Sequence, residues 1–162
     1  MSELPSGTVT FLFTDIEGST DLAQKFPDAL AALLARHHAI LRQAIQTHDG
    51  AIFQMIGDAF CAAFHTAPEA LAAALDAQRM LHAEKWDPAP VRVRMGCNTG
   101  AAQAARPPGP LGRQAGAGGY EGYSALVRAQ RVMSAAHGGQ ILLSNASTEL
   151  VRDSLPAGIS LA

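Results

Sequence analysis

The sequence predicts an α+β fold, a ferredoxin-like sandwich in which a mostly antiparallel sheet carries helices on one face. Three observations carry that reading. Short apolar runs with strand chemistry alternate with longer stretches of helical periodicity, in the order β, α, α, β, β, α, β, α, β. Two of the runs, 51–56 and 59–64, are separated only by Gly57-Asp58, the spacing of a tight hairpin. Val91, Val93, Met95 and Cys97 recur at every second position, as in a strand that buries one face.

Residues 9–13 (VTFLF) are β-branched or aromatic throughout all but one position and suit a buried strand. The run stops at Thr14-Asp15, and Gly18, Ser19 and Thr20 form a small-residue turn with N-cap chemistry that leads into a helix. Pro27-Asp28 punctuates the chain. From 29 to 47, Leu30, Leu33, Leu34, His37, Leu41, Ala44 and Ile45 make one apolar stripe at helical spacing, ended by His48-Asp49-Gly50. In the hairpin that follows, Gly57 as the first connecting residue suits a type II′ turn. Thr66 is placed to cap the next helix, with Pro68 in its first turn, and this Ala-rich helix runs to about residue 85. Trp86 to Pro90 breaks it, and a strand covers 91–98. Residues 100–122 hold seven glycines and three prolines and read as a mobile loop or irregular arm. The spacing of Gly116, Gly118, Gly119 and Gly122 is not the dinucleotide fingerprint. A helix over 123–136 closed by His137-Gly138-Gly139, a strand over 140–144 and a helical turn over 146–151 complete the chain.

A chain of 162 residues can bury one sizeable core and is too short for two ordinary domains, so 1–162 reads as a single domain. A formal charge of −2, only two lysines (Lys25 and Lys85) and no basic run argue against a nucleic-acid partner. Cys61 and Cys97 lie in apolar neighbourhoods without a C-x-x-C pair and read as buried thiols of a reducing compartment. No apolar run approaches the roughly 18 residues of a membrane span, and the N-terminus lacks a signal-peptide pattern. The expectation is a cytoplasmic protein with neither a membrane nor a nucleic-acid partner.

Function concentrates at the end of the first strand. A carboxylate there offers a hard oxygen ligand to Mg²⁺, and the turn into a helix presents free N–H groups to an anion. Taken alone, Asp15 also fits a plain turn residue. If the 51–64 hairpin pairs with the first strand, however, Asp58 at its tip arrives beside Asp15. Two carboxylates at one sheet edge repel each other unless a cation lies between them. Paired carboxylates sharing metal ions are how polymerase-like sites hold a nucleoside triphosphate.

Three motifs carry a resemblance: TVTFLFTDIEGST over 8–20, FQMIGDAF over 53–60, and RAQR over 128–131 followed by HGGQ over 137–140. In this order they resemble the class III adenylate/guanylate cyclase catalytic domain, over about residues 7–151. The resemblance implies a purine nucleotide cyclase that converts ATP or GTP to a 3′,5′-cyclic nucleotide and pyrophosphate. It implies two Mg²⁺ or Mn²⁺ ions per site, held by Asp15, Asp58 and the backbone carbonyl of Ile16. Residues Ile16, Glu17, Gly18, Ser19 and Thr20 fall in the triphosphate-binding stretch. Arg131 matches the arginine that stabilises charge on the α-phosphate. The family's sites form between two antiparallel protomers, so a homodimer is implied.

The match departs from the family pattern at three places. Gln54 stands where adenylate cyclases usually carry an adenine-reading lysine, and the partner purine-reading position falls near Tyr120. Val127 stands four residues before Arg131, where an asparagine normally orients the ribose. The family usually continues into further strands bearing a phosphate-binding Lys or Arg. This chain has no lysine after Lys85 and no arginine after Arg152, so the domain reads as C-terminally short. Together these departures predict a weak enzyme, or alternatively a degenerate cyclase-like module that binds nucleotide or dimerises in signalling.

Overall fold

The computed structural model describes residues 3–105, 119–121 and 123–162. Six strands form one mixed, mostly antiparallel sheet. They are β1 (Gly7–Ile16), β2 (Ala51–Ile56), β3 (Ala59–Phe64), β4 (Val93–Ala104), β5 (Tyr120–Glu121) and β6 (Ile141–Leu143). The order is β2-β3-β1-β4-β5, with β6 pairing β4 in parallel beside β5. The helices are α1 (Ser19–Lys25), α2 (Leu30–Thr47), α3 (Ala67–Ala83), α4 (Tyr123–Ala135) and α5 (Asn145–Val151).

The α+β class is as the sequence predicts, but the helices do not share one face. Helices α2 and α3 cover Leu12, Ile16, Phe60, Phe64, Met95 and Cys97. The opposite face, with Val9, Phe11, Phe13 and Cys61, is covered by Ala125, Leu126, Ala129 and Met133 of α4. The physical reason is the central strand itself. Consecutive buried residues from Val9 to Phe13 point alternately to both faces, so each face needs a cover. Burying one such phenylalanine contributes about 1.5–3 kcal/mol, more than the ~1 kcal/mol that helix capping supplies.

Glycines let α4 come close. A Cβ on Gly96 would lie 2.3 Å from the Met133 backbone nitrogen and 2.6 Å from its Cα. Gly100 faces Ala125 in the same way, with 3.0 Å between the Cβ positions. Gly96→Ala is therefore expected to destabilise the fold by about 1–3 kcal/mol, because backbone rather than a flexible side chain must move. A urea unfolding midpoint equal to that of the wild type would show that α4 does not sit on β4.

Several local expectations hold. The hairpin strands have the boundaries read from the sequence, and Gly57 takes φ +59 while Asp58 stays negative, the sign pattern of a type II′ turn. Thr66 caps α3 by accepting from the Glu69 N–H. Others differ. Helix α1 is capped by Gly18 at φ +68 with no side-chain bond, so Ser19 and Thr20 lie inside the helix rather than at its cap. Strand β4 continues through Gly100 to Ala104, and β5 uses Tyr120–Glu121, so part of the presumed arm is sheet. Gly116, Gly118 and Gly122 lie outside the described residues. Buried Thr10, Thr99 and Ser147 link β1, β4 and α5 through hydroxyl contacts of 2.8 and 2.9 Å.

Candidate active site

Strand alternation places Asp15 on the face of Phe11 and Phe13, at the end where β1 leaves the sheet. The β1–β4 register sets Asp15 opposite Arg94. Arg94 Nε donates to Asp15 Oδ1 at 2.7 Å and its Nη2 to Oδ2 at 2.5 Å. Asp58, at the hairpin tip, accepts the Ile16 backbone N–H at 2.7 Å through Oδ2. The hairpin thus brings the two aspartates to one end of β1, as pairing of β3 with β1 demands. Arg94 is the cation that relieves their repulsion in this structure. Its hydrogen bonds to Asp15 raise its already high pKa, and the charges of Glu17 and Asp58 add to the effect.

Past Asp15 the chain turns sharply. The Glu17 N–H donates to the Arg92 carbonyl at 2.8 Å, and Gly18 makes the left-handed step that starts α1. Glu17, Gly18 and Thr20 are exposed and Ser19 is half-buried. The first N–H groups of a helix have no intrahelical acceptor, so this turn offers donors to an anion. The 138–139 turn buttresses it. A Cβ on Gly138 would lie 2.5 Å from Glu17 Oε2, and Gly139 N–H bonds the Val93 carbonyl at 2.9 Å.

The remaining candidates lie elsewhere. Gln54 is half-buried on β2, opposite Cys61 in register and beside a bulge. Val127 and Arg131 share the exposed side of α4 with Tyr123, which is 76% exposed. Among the described residues neither makes a hydrogen bond or ion pair with either aspartate. Tyr120, near the expected purine-reading position, is core. Its hydroxyl donates to the Pro5 carbonyl at 2.7 Å, and its ring packs edge-on against Phe11 and Phe53. A cavity of about 770 Å³ between α3 and the 138–139 turn, lined by Arg79, Leu81, Trp86, Val91 and Arg92, includes neither aspartate. Sequence reasoning missed Arg94. Its signal was the polar position between Val93 and Met95 in an alternating strand, which only the register aims at Asp15.

Comparison with known proteins decides the family. The model of the adenylate and guanylate cyclase catalytic domain matches residues 1–157. The chain belongs to this family. An uncharacterised protein of Mycobacterium tuberculosis is 38% identical to the cyclase domain over 155 residues, which is 94% of this chain and 48% of that protein. The chain thus spans about half the length of that relative. An adenylate cyclase of Podospora anserina is 30% identical over 162 residues, 87% of this chain and 7% of its own. In fold, the domain is similar to an adenylyl cyclase from P. aeruginosa at TM-score 0.78 and 23% identity, covering 94% of this chain and 84% of that one. No helix among the described residues is long and apolar enough to cross a membrane.

Class III cyclases use two divalent metal ions, and cyclase domains bind nucleotides and dimerise. The residues here fit such ions. Two carboxylates fixed by a strand end and a hairpin tip, with backbone carbonyls nearby, are hard oxygen donors. Among the described residues no group of three or more His, Cys, Asp or Glu is arranged to hold a metal ion by itself. A site with two carboxylates leaves coordination positions for phosphate oxygens, as Mg²⁺ sites in nucleotide enzymes do.

Proposed function

We propose that this cyclase domain converts a purine nucleoside triphosphate, ATP or GTP, to its 3′,5′-cyclic monophosphate and pyrophosphate, slowly, as a homodimer. The observation that carries this reading is the convergence of Asp15 and Asp58 at one strand end, beside the exposed turn at Glu17–Gly18. Asp15, Asp58 and the Ile16 carbonyl would hold two Mg²⁺ or Mn²⁺ ions. Bound there, the ions would favour the ionised ribose 3′-oxygen and offset phosphate charge. The turn from Ile16 to Thr20 would fix the triphosphate through backbone N–H groups, leaving the α-phosphate open to in-line attack. The 3′-oxygen forms the new P–O bond, the bond to the β-phosphate breaks, and pyrophosphate leaves as the hydroxyl proton passes to solvent. Arg131 of the second protomer would stabilise the charge that develops on the α-phosphate. Its exposure on α4, with Tyr123 and Val127 along the same side, suits a residue that acts across a dimer interface.

Magnitudes set the expected rate. Losing one transition-state contact typically lowers turnover by about 10²–10³, against total accelerations that begin near 10⁶. Val127 in place of a ribose-orienting amide therefore leaves a slow but measurable enzyme. The deciding assay is purified protein with Mn²⁺ and ATP or GTP, followed for cyclic product. Val127 also favours a second reading, a module that binds nucleotide and dimerises without turnover. Retained Mn²⁺-dependent nucleotide binding with no product would select it.

Val127→Asn separates the two by a gain. Because the restored amide would orient the ribose for attack, turnover should rise by about 10-fold or more while nucleotide affinity changes less. An unchanged or lower turnover would show that α4 does not present this position to the ribose.

A further inference from the structure

The Arg94–Asp15 contact differs in kind from the other arginine–carboxylate pairs described. Arg36–Glu84, Arg79–Asp76 and Arg152–Glu149 are single contacts whose arginines are 53%, 60% and 55% exposed. Arg94 is 29% exposed and Asp15 19%, and two parallel N–H···O bonds join them. Both residues sit in strands paired through the Asp15↔Arg94 register, so the backbone keeps them face to face. A side-chain rotamer change parts them without moving the backbone. Each Asp15 oxygen is engaged by the guanidinium, and one Asp58 oxygen is engaged by Ile16 N–H.

We infer that Arg94 is a resident cation that occupies the metal-binding face of Asp15, so that divalent ions enter this site by displacing a guanidinium rather than by filling free carboxylates. The inference rests on the reading of Asp15 and Asp58 as metal ligands. A bidentate guanidinium is a strong competitor because its charge persists at any pH the fold survives, and its planar fork matches the carboxylate. It is also tethered, so its concentration at the site never falls. The exchange lowers the apparent metal affinity of the free chain by the strength of the fork. It discriminates most against Mg²⁺, which gives up its water reluctantly and demands near-octahedral geometry. Arg94 thereby acts on the metal through Asp15 and sets how much free cation the domain needs before it can load.

The test is Mn²⁺ binding to the nucleotide-free protein, followed by the loss of the free-ion electron paramagnetic resonance signal and by titration calorimetry. Arg94→Gln should bind Mn²⁺ about 10-fold or more tightly than wild type, since a hydrogen-bonded charge pair no longer has to break. Arg94→Lys keeps the charge but loses the fork, and its affinity should fall between the two. In thermal melts, saturating Mn²⁺ should raise the midpoint of Arg94→Gln more than that of wild type. Equal or weaker Mn²⁺ binding by Arg94→Gln, in a protein whose binding is still abolished by Asp15→Asn, would overturn the inference and leave the metal site standing. That result would make Arg94 a residue that holds Asp15 in place for the ion. If neither wild type nor Arg94→Gln binds Mn²⁺, the metal reading itself falls and takes the inference with it. Should Arg94→Gln fail to fold, Arg94→Lys decides: tighter binding than wild type supports the displacement, and equal or weaker binding overturns it.

Discussion

Asp15→Ala and Arg131→Ala proteins are each expected to be inactive, and co-folding the two is expected to return about a quarter of the wild-type rate. The reasoning follows from two-fold symmetry. In the proposed dimer each protomer would serve two sites, giving its aspartates to one and its arginine to the other. A mixed dimer collects both defects in one site and leaves the other whole. Random mixing makes about half of the dimers mixed, each with one good site of two. Neither substitution should disturb the fold much. Arg131 is exposed on α4, and removing the Asp15 carboxylate breaks the fork but leaves a guanidinium that water can reach, for about 1–2 kcal/mol. Asp15→Ala should also lose Mn²⁺-dependent triphosphate binding, whereas Arg131→Ala should retain it. Two inactive proteins that stay inactive after co-folding, with wild-type turnover measurable and dimers shown to exchange, would rule out a site shared in this way.

The elements that sequence made legible are those whose information is local. The hairpin boundaries follow from a two-residue connection that starts with Gly57, and the α3 start follows from Thr66 and Pro68. The position of Asp15 beside Asp58 was legible as a conditional, because it needs only that β3 pair with β1. What was not legible depends on register and on layers. The pairing of Arg94 with Asp15 requires the β1–β4 alignment, which neither strand encodes by itself. The strand through Gly100–Ala104 was hidden by glycine and small residues, yet the missing side chain at Gly100 is what admits Ala125 of α4. The burial of Tyr120 against Phe11, Phe53 and Pro5 joins residues 115 apart in sequence. One misplacement had a visible signal. The unbroken run Val9–Phe13 already meant that both sheet faces are dry, and so that a helix layer lies on each.

The same core contains the group whose burial has the largest expected effect as pH falls below neutral. His37 sits on the apolar stripe of α2, fully buried, with its ring edge-on to Phe60 and its Nδ1 3.0 Å from Nδ1 of His38. Its Nε2 is buried without a partner among the described residues. Either tautomer satisfies Nδ1 and strands Nε2, and a second proton on the ring would add a buried charge as well. Burial, and secondarily the neighbouring His38, push the His37 pKa down from 6.5 to about 4. The folded imidazole is then neutral while the unfolded one takes up a proton as pH falls below 6.5. The unfolded state binds more protons in that window, so stability is complete above about pH 6.5 and declines as pH falls toward 4. At about 1.36 kcal/mol per pKa unit the loss approaches 3 kcal/mol, a large share of the ~5–15 kcal/mol that holds a domain together. Below pH 4 both states are protonated and His37 contributes no further decline. Carboxylates also titrate at the acid end, and Arg42, whose guanidinium lies 5.8 Å from the Phe60 ring centre, is the permanent charge nearest this cluster among the contacts described. The measurement is therefore a difference between two proteins. His37→Leu removes the stranded nitrogen at similar volume and should lie within about 1 kcal/mol of wild type at pH 7. Between pH 7 and 4.5, urea midpoints should fall markedly less for His37→Leu than for wild type. Parallel declines would mean that His37 is protonated in the folded state, with water reaching Nε2 along a path that the packing of α2 against Phe60 does not leave.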